Sequence, residues 1–153
     1  RGVLEPIDAR DVPRELAGCR SLFNAFHHFK PADARAILRD AANDRQPLVI
    51  FEISDRRLVN LLLILLFTPL ISAISALFIR PFTWRRLFWN WVVPAVPFTC
   101  VWDGVVSQLR AYTVDELEAM AREVQVEGYS WRAGHLPAGR RPGRWTYLIG
   151  TPS

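Results

Sequence analysis

The chain has 153 residues, half of them hydrophobic and 22% charged, with a formal net charge of +4. That composition excludes disorder of the whole chain and suits one ordinary domain with a buried core. The arginines are spread along the chain instead of forming a stripe, which argues against nucleic-acid binding. Cys19 and Cys100 are far apart and belong to no CxxC pair, so they carry no zinc signature and are expected as reduced, buried thiols.

Residues 3–7 read as a first strand. Residues 21–26, SLFNAF, are short, apolar and aromatic, as a buried strand should be. Lys30, Pro31 and Ala32 break it. Ala34, Ile37, Leu38 and Ala41 then recur at helical spacing, predicting a helix over 32–43. After the turn-rich residues 43–47, LVIFEI at 48–53 has the continuous apolar character of a central parallel strand. Polar groups close both strands: Asn24, His27 and His28 at the first, Glu52 at the second. Open α/β sheets bind ligands at such carboxyl ends.

Residues 58–79 contain no charge and are long enough to cross a hydrocarbon core, which needs about 20 residues. Arg56 and Arg57 precede them and Arg80 follows. A second apolar stretch, 87–106, is rich in tryptophan and interrupted by Pro94, Pro97 and Asp103. Arg80, Trp84, Arg85, Arg86, Trp89 and Trp91 give the junction the composition of a membrane interface. Three arrangements are open: a hairpin dipping into one leaflet with Pro69 kinking its first arm, a full two-span hairpin, and an apolar lid over a greasy pocket. The first is favoured. A single crossing is excluded, because the strands before and after must return to the same side.

Thr113 with Glu116 three residues on is a capping box, predicting a helix over 114–124. It places Tyr112 at a helix junction. Residues 129–135 and 145–149 are expected as strands. The organisation is then three segments: an α/β portion at 1–57, an apolar insertion at 58–111, and a helix with a strand pair at 112–153.

The order of SLFNAFHHF, ARAILRDA and LVIFE resembles the second half of a class I S-adenosylmethionine-dependent methyltransferase. In that family a strand, a helix and a strand with an acidic end follow in this order. Upstream, EPIDARDVP resembles the strand-end Asp-Ala segment beside the adenine ring; downstream, YTVDEL, YSWRAGHL and RWTYLIG resemble the closing helix and antiparallel pair. The resemblance implies a partial doubly wound, Rossmann-like α/β sheet of parallel strands plus a carboxyl-terminal antiparallel pair, with the apolar hairpin inserted. The family's glycine-rich loop and ribose-binding carboxylate are absent. The implied chain is therefore a carboxyl-terminal portion, inactive alone, whose intact protein methylates an apolar small molecule at the cytoplasmic face of a membrane.

In that frame S-adenosylmethionine is the expected cofactor, contacted by Asp8, Ala9, Asn24 and His27. Asp8 would accept a hydrogen bond from the adenine amino group; its plainer role is a salt bridge with Arg10. His27, His28, Glu52 and Tyr112 are the candidate catalytic groups. Each histidine is more simply a structural group at a strand end, and Glu52 more simply pairs with Arg56. Adjacent strand residues point to opposite faces, so His27 and His28 are not expected to share a metal, and no metal site is expected. The rival reading is a non-catalytic, membrane-associated interaction protein with an α/β remnant. An oxidoreductase on the same sheet has less motif support.

Overall fold

The computed structural model describes residues 5–137 and 144–153. These form two compact units, one from the described parts of Arg1–Asp55 and Ala111–Ser153, the other from Arg56–Arg110.

The first unit is a mixed α/β layer. Strand β1 (Arg20–Phe23) lies beside β2 (Leu48–Glu52) in parallel, with Leu22 opposite Ile50, and helix α1 (Pro31–Asn43) connects them. Pro31 begins α1 with its backbone preset for a helix, and Asp33 faces the positive end of the helix dipole in the first turn. Ala34, Ile37, Leu38, Ala41 and Ala42 form its buried face. In β2 alternate residues are buried, so Leu48, Ile50 and Glu52 point into the core. Arg20 fastens β1 to α1 through Asp40 at 2.6 Å and Asp44 at 2.9 Å.

Helix α5 is Val114–Glu123, preceded in the chain by the second unit. Its amino end carries the predicted capping box: the Glu116 N–H donates to Thr113 Oγ1 and the Thr113 N–H donates to Glu116 Oε2. Strands β3 (Tyr129–Pro137) and β4 (Arg144–Pro152) follow and pair antiparallel. Strand β4 also pairs antiparallel with β2, giving the order β1-β2-β4-β3. Leu117, Met120, Ala121, Val124, Tyr129 and Leu148 meet the buried face of α1 to complete the core.

The sheet departs from the expected one in two respects. Among the described residues it holds one parallel pair, not three parallel strands, so it is a mixed four-stranded sheet and not a mostly parallel, doubly wound one. Residues 5–7 form no strand, and the rest of the predicted strand at 3–7 lies outside the described residues.

The second unit begins with α2, Leu58–Phe78, a continuous helix with Pro69 inside it. The chain returns through α3 (Trp84–Leu87), its π-helical continuation Phe88–Val92, and α4 (Ala95–Arg110). The return path bends by 66° between Val92 and Ala95. Pro94 lies at the bend, where it lacks an amide and disfavours helix in the preceding residue. Gly104 of α4 sits against Ile64 of α2; a Cβ there would lie 3.1 Å from an Ile64 methyl. Ser72 Oγ donates to Asn90 Oδ1 at 3.2 Å, and Asn90 Nδ2 donates to the Arg86 carbonyl at 2.8 Å. Cys19 and Cys100 are both exposed, against the expectation of buried thiols: Cys19 precedes β1, and Cys100 lines an open groove with Ile71 and Ser75 of α2.

Candidate functional site

The carboxyl ends of β1 and β2 are tied together by Asn24. Its φ of +48° is a left-handed conformation that asparagine tolerates better than most residues, and it turns the chain out of the strand. The Asn24 N–H still donates to the Phe51 carbonyl at 2.7 Å. Its Oδ1 accepts from the Ile53 N–H at 3.3 Å and from Ser54 Oγ at 3.4 Å. One side chain therefore closes both strand ends.

This turn overrides the predicted strand over 21–26. The strand stops at Phe23, and Phe26–His28 form a single 3₁₀ turn. His27 and His28 consequently do not point to opposite faces. Their rings lie 4.3 Å apart, His27 buried and His28 exposed.

Glu52 holds that turn. Its Oε1 accepts the Phe26 N–H at 2.6 Å, and its Oε2 shares a hydrogen bond with His27 Nδ1 at 2.6 Å. Both side chains are buried, at 1% and 2% exposure. The pairing expected with Arg56 is thus replaced by one with His27, 25 residues upstream. A carboxyl group behind an imidazole fixes its orientation and tautomer, as in acid–base dyads, and it also stabilises a fold.

Two residues missed in the sequence complete the polar row. Thr146 of β4 stands opposite Glu52 and is buried; His135 of β3 stands opposite Thr146. Thr146 Oγ1 and His135 Nδ1 are 3.4 Å apart. Asn24, Glu52, Thr146 and His135 therefore cross one end of the sheet. Only the register reveals this, because the residues are scattered over more than a hundred positions.

The remaining candidates sit as follows. Asp8 is exposed and clasped by Arg10, which donates to both carboxyl oxygens, with Nη2 to Oδ2 at 2.7 Å. Chiefly through those bonds its pKa is lowered to about 2. Arg10 also reaches Asp33 in the first turn of α1 at 2.8 Å, so Asp8 stands near the carboxyl end of β1, in the salt bridge that was its plainer role. Ala9 is partly buried against the core. Tyr112 is a core residue: its ring lies 5.5 Å from that of Phe26 and its hydroxyl donates to the Phe29 carbonyl at 2.7 Å. Of the four catalytic candidates, only His28 presents its side chain to solvent. Among the described residues, no group of three or more His, Cys, Asp or Glu side chains is placed to hold a metal ion.

In the second unit, Arg80, Trp84, Arg85, Trp89 and Trp91 are exposed. Arg86 is half-buried and donates to the Ile79 carbonyl at 2.5 Å and the Pro81 carbonyl at 3.0 Å. It therefore holds the end of α2 and is not a free interface cation like Arg80 and Arg85. Helix α2 is long and apolar enough to cross a membrane, and only 6% of its most apolar window is buried. No family model, curated protein or solved structure matches the chain.

Proposed function

We propose that the chain serves S-adenosylmethionine-dependent methyl transfer to an apolar small molecule at the cytoplasmic face of a membrane, contributing the adenine and acceptor sides of the site. The observation that carries this reading is the end of the parallel pair β1–β2. There Asn24, the His27–Glu52 pair and exposed His28 gather at strand carboxyl ends, where such sheets bind ligands. The β1–α1–β2 unit followed by an antiparallel closing pair is also the order that the family resemblance requires.

The residues present suit the adenine side of the cofactor. Asp8 offers an exposed carboxylate and Asn24 an exposed amide, with Ala9 between Asp8 and the core. S-adenosylmethionine would supply the electrophilic methyl group. The protein's part is alignment, since holding the acceptor in line supplies much of the rate and no covalent intermediate is needed. In this reading His28 contacts the acceptor, and the Glu52–His27 pair positions His28 through the tilted ring contact at 4.3 Å. Tyr112 has a structural role.

The test uses the intact gene product, photocrosslinked with methyl-labelled S-adenosylmethionine and digested. Label within residues 5–28 is expected. Absence of any retained label from this chain would end the methyltransferase reading and leave the rival, a membrane-associated interaction protein. The specific observation favouring that rival is that Asp8 and His27 already have strong internal partners. Both readings share membrane association, which rests on the exposed apolar surface of the second unit.

A further inference from the structure

We infer that the second unit crosses the whole bilayer as a two-arm hairpin, carrying its Trp–Arg tip to the membrane face opposite Arg56, Arg57 and Arg110. This rests on the membrane association proposed above and decides between a shallow hairpin and a full crossing.

The first argument is length. The 21 residues of α2 rise about 31 Å at 1.5 Å each, matching a hydrocarbon core of about 30 Å. The second is the position of charge. Ile64 lies against Gly104, so in an antiparallel pair Leu58 stands level with Arg110. Arg56, Arg57 and Arg110 therefore mark one end of the hairpin. Arg80, Arg85 and exposed Trp84 mark the other, a full helix length away. In a hairpin that dips into one leaflet, the tip arginines would end in hydrocarbon. In a full crossing, both charged ends reach headgroups and the tryptophans lie at an interface.

The third argument is where polarity points. A helix lying flat on a membrane needs a polar face and an apolar one. Helix α2 has none outside: Leu58, Leu62, Leu65, Leu66, Leu70 and Phe78 are exposed around it, whereas Asn60, Thr68, Ser72 and Ser75 are half-buried. Ser72 spends its hydroxyl on buried Asn90. At the bend in the returning arm the Val93 N–H donates to Phe88 and the Phe98 N–H to Pro94, so those amides keep partners without water. Asp103 is the one acidic residue between Arg57 and Arg110. It stands seven residues, about 10 Å, in from Arg110, beside exposed Trp102. At that depth Asp103 is the one acidic group that a full crossing carries into the apolar layer, and its cost opposes the other three arguments.

Single cysteines test the topology in a Cys19→Ser/Cys100→Ser background. Thr83→Cys marks the tip, Ser130→Cys the sheet and Leu66→Cys the middle of α2. The full chain is expressed in bacterial membranes and treated with a membrane-impermeant maleimide in sealed vesicles of each polarity. Positions 83 and 130 are expected to label from opposite sides, and position 66 from neither. Labelling of 83 and 130 from the same side, or of 83 from neither, would overturn the full crossing while leaving membrane association intact. Flotation of the same membranes is read first. A chain that does not float with lipid overturns the association itself.

Discussion

Replacing Glu52 with alanine should unfold the sheet unit more readily than any surface substitution. Glu52 accepts two hydrogen bonds in the core, from the Phe26 N–H and with His27 Nδ1, each at 2.6 Å. Removing the carboxyl group leaves both partners buried and unpaired, at about 1–3 kcal/mol each. The expected loss is about 3–4 kcal/mol, against roughly 5–15 kcal/mol for a whole domain. With a urea slope of about 1–2 kcal/mol per molar, the midpoint should fall by roughly 1.5–4 M. Pulse proteolysis of the detergent-solubilised chain across a urea series reads this for the sheet unit. Glu52→Gln keeps one acceptor oxygen and should lose about half as much. The double variant with His27→Ala should show a coupling of about 1.5–3 kcal/mol, in the range of residues sharing one buried network. A loss below about 1 kcal/mol for Glu52→Ala, with no coupling to His27, would refute the account of the dyad as the clasp of the 26–28 turn.

Other outcomes follow from the same geometry. Gly150→Ala should destabilise the sheet by about 1–3 kcal/mol, as overpacking does, because a Cβ would meet the Trp131 ring at 2.5 Å and the Tyr129 hydroxyl at 2.6 Å; chemical denaturation reads it. Burial pushes the Tyr129 hydroxyl up from 10.0 to about 12. Its contribution to stability is therefore complete below pH 10 and is lost as pH rises through 12; denaturation across that window should flatten in Tyr129→Phe. His28→Ala should leave the free energy of unfolding in urea within about 0.5 kcal/mol of the parent, as an exposed substitution does, while lowering the proposed methyl transfer by the intact gene product; unchanged transfer would remove His28 from the proposed site.

What the sequence disclosed depended on the range of the interaction. Helix α2 begins and ends with its uncharged run, α1 follows its apolar spacing, and Thr113 with Glu116 marks the start of α5, because each signal lies within a few residues. The end of β1 was not legible. SLFNAF has strand composition throughout, but Asn24 turns left-handed and Glu52 takes the Phe26 amide from across the unit. The other oxygen of Glu52 pairs with His27, which takes the place of the expected Glu52–Arg56 pair. Thr146 and His135 join the polar row only once β4 is known to lie between β2 and β3. Arg86 has the composition of an interface cation, yet its role is decided by the Ile79 and Pro81 carbonyls at the end of α2.

The last prediction concerns the insertion. The core of the sheet unit draws on Phe26, the buried face of α1, Leu48, Ile50, Tyr112, α5, Tyr129 and Leu148, all outside residues 56–110. The hairpin that interrupts this unit returns its two ends to one level, Leu58 beside Arg110, at the spacing of packed helices, about 8–10 Å. A flexible linker of about four glycine and serine residues covers roughly that distance. Replacing residues 58–109 with such a linker should therefore leave the sheet unit folded. Loop closure does not oppose it, since shortening a flexible connection from about 50 residues to four favours closure by about 2 kcal/mol. Phe23 is 67% exposed and stacks on Phe51, so the shortened chain is examined with and without mild detergent to separate self-association from unfolding. A single cooperative urea transition, with slow hydrogen exchange in β2 and β4, is expected. A chain that shows no cooperative transition even in detergent would mean that the hairpin is part of what folds the sheet, and the division into two units would not describe their stability.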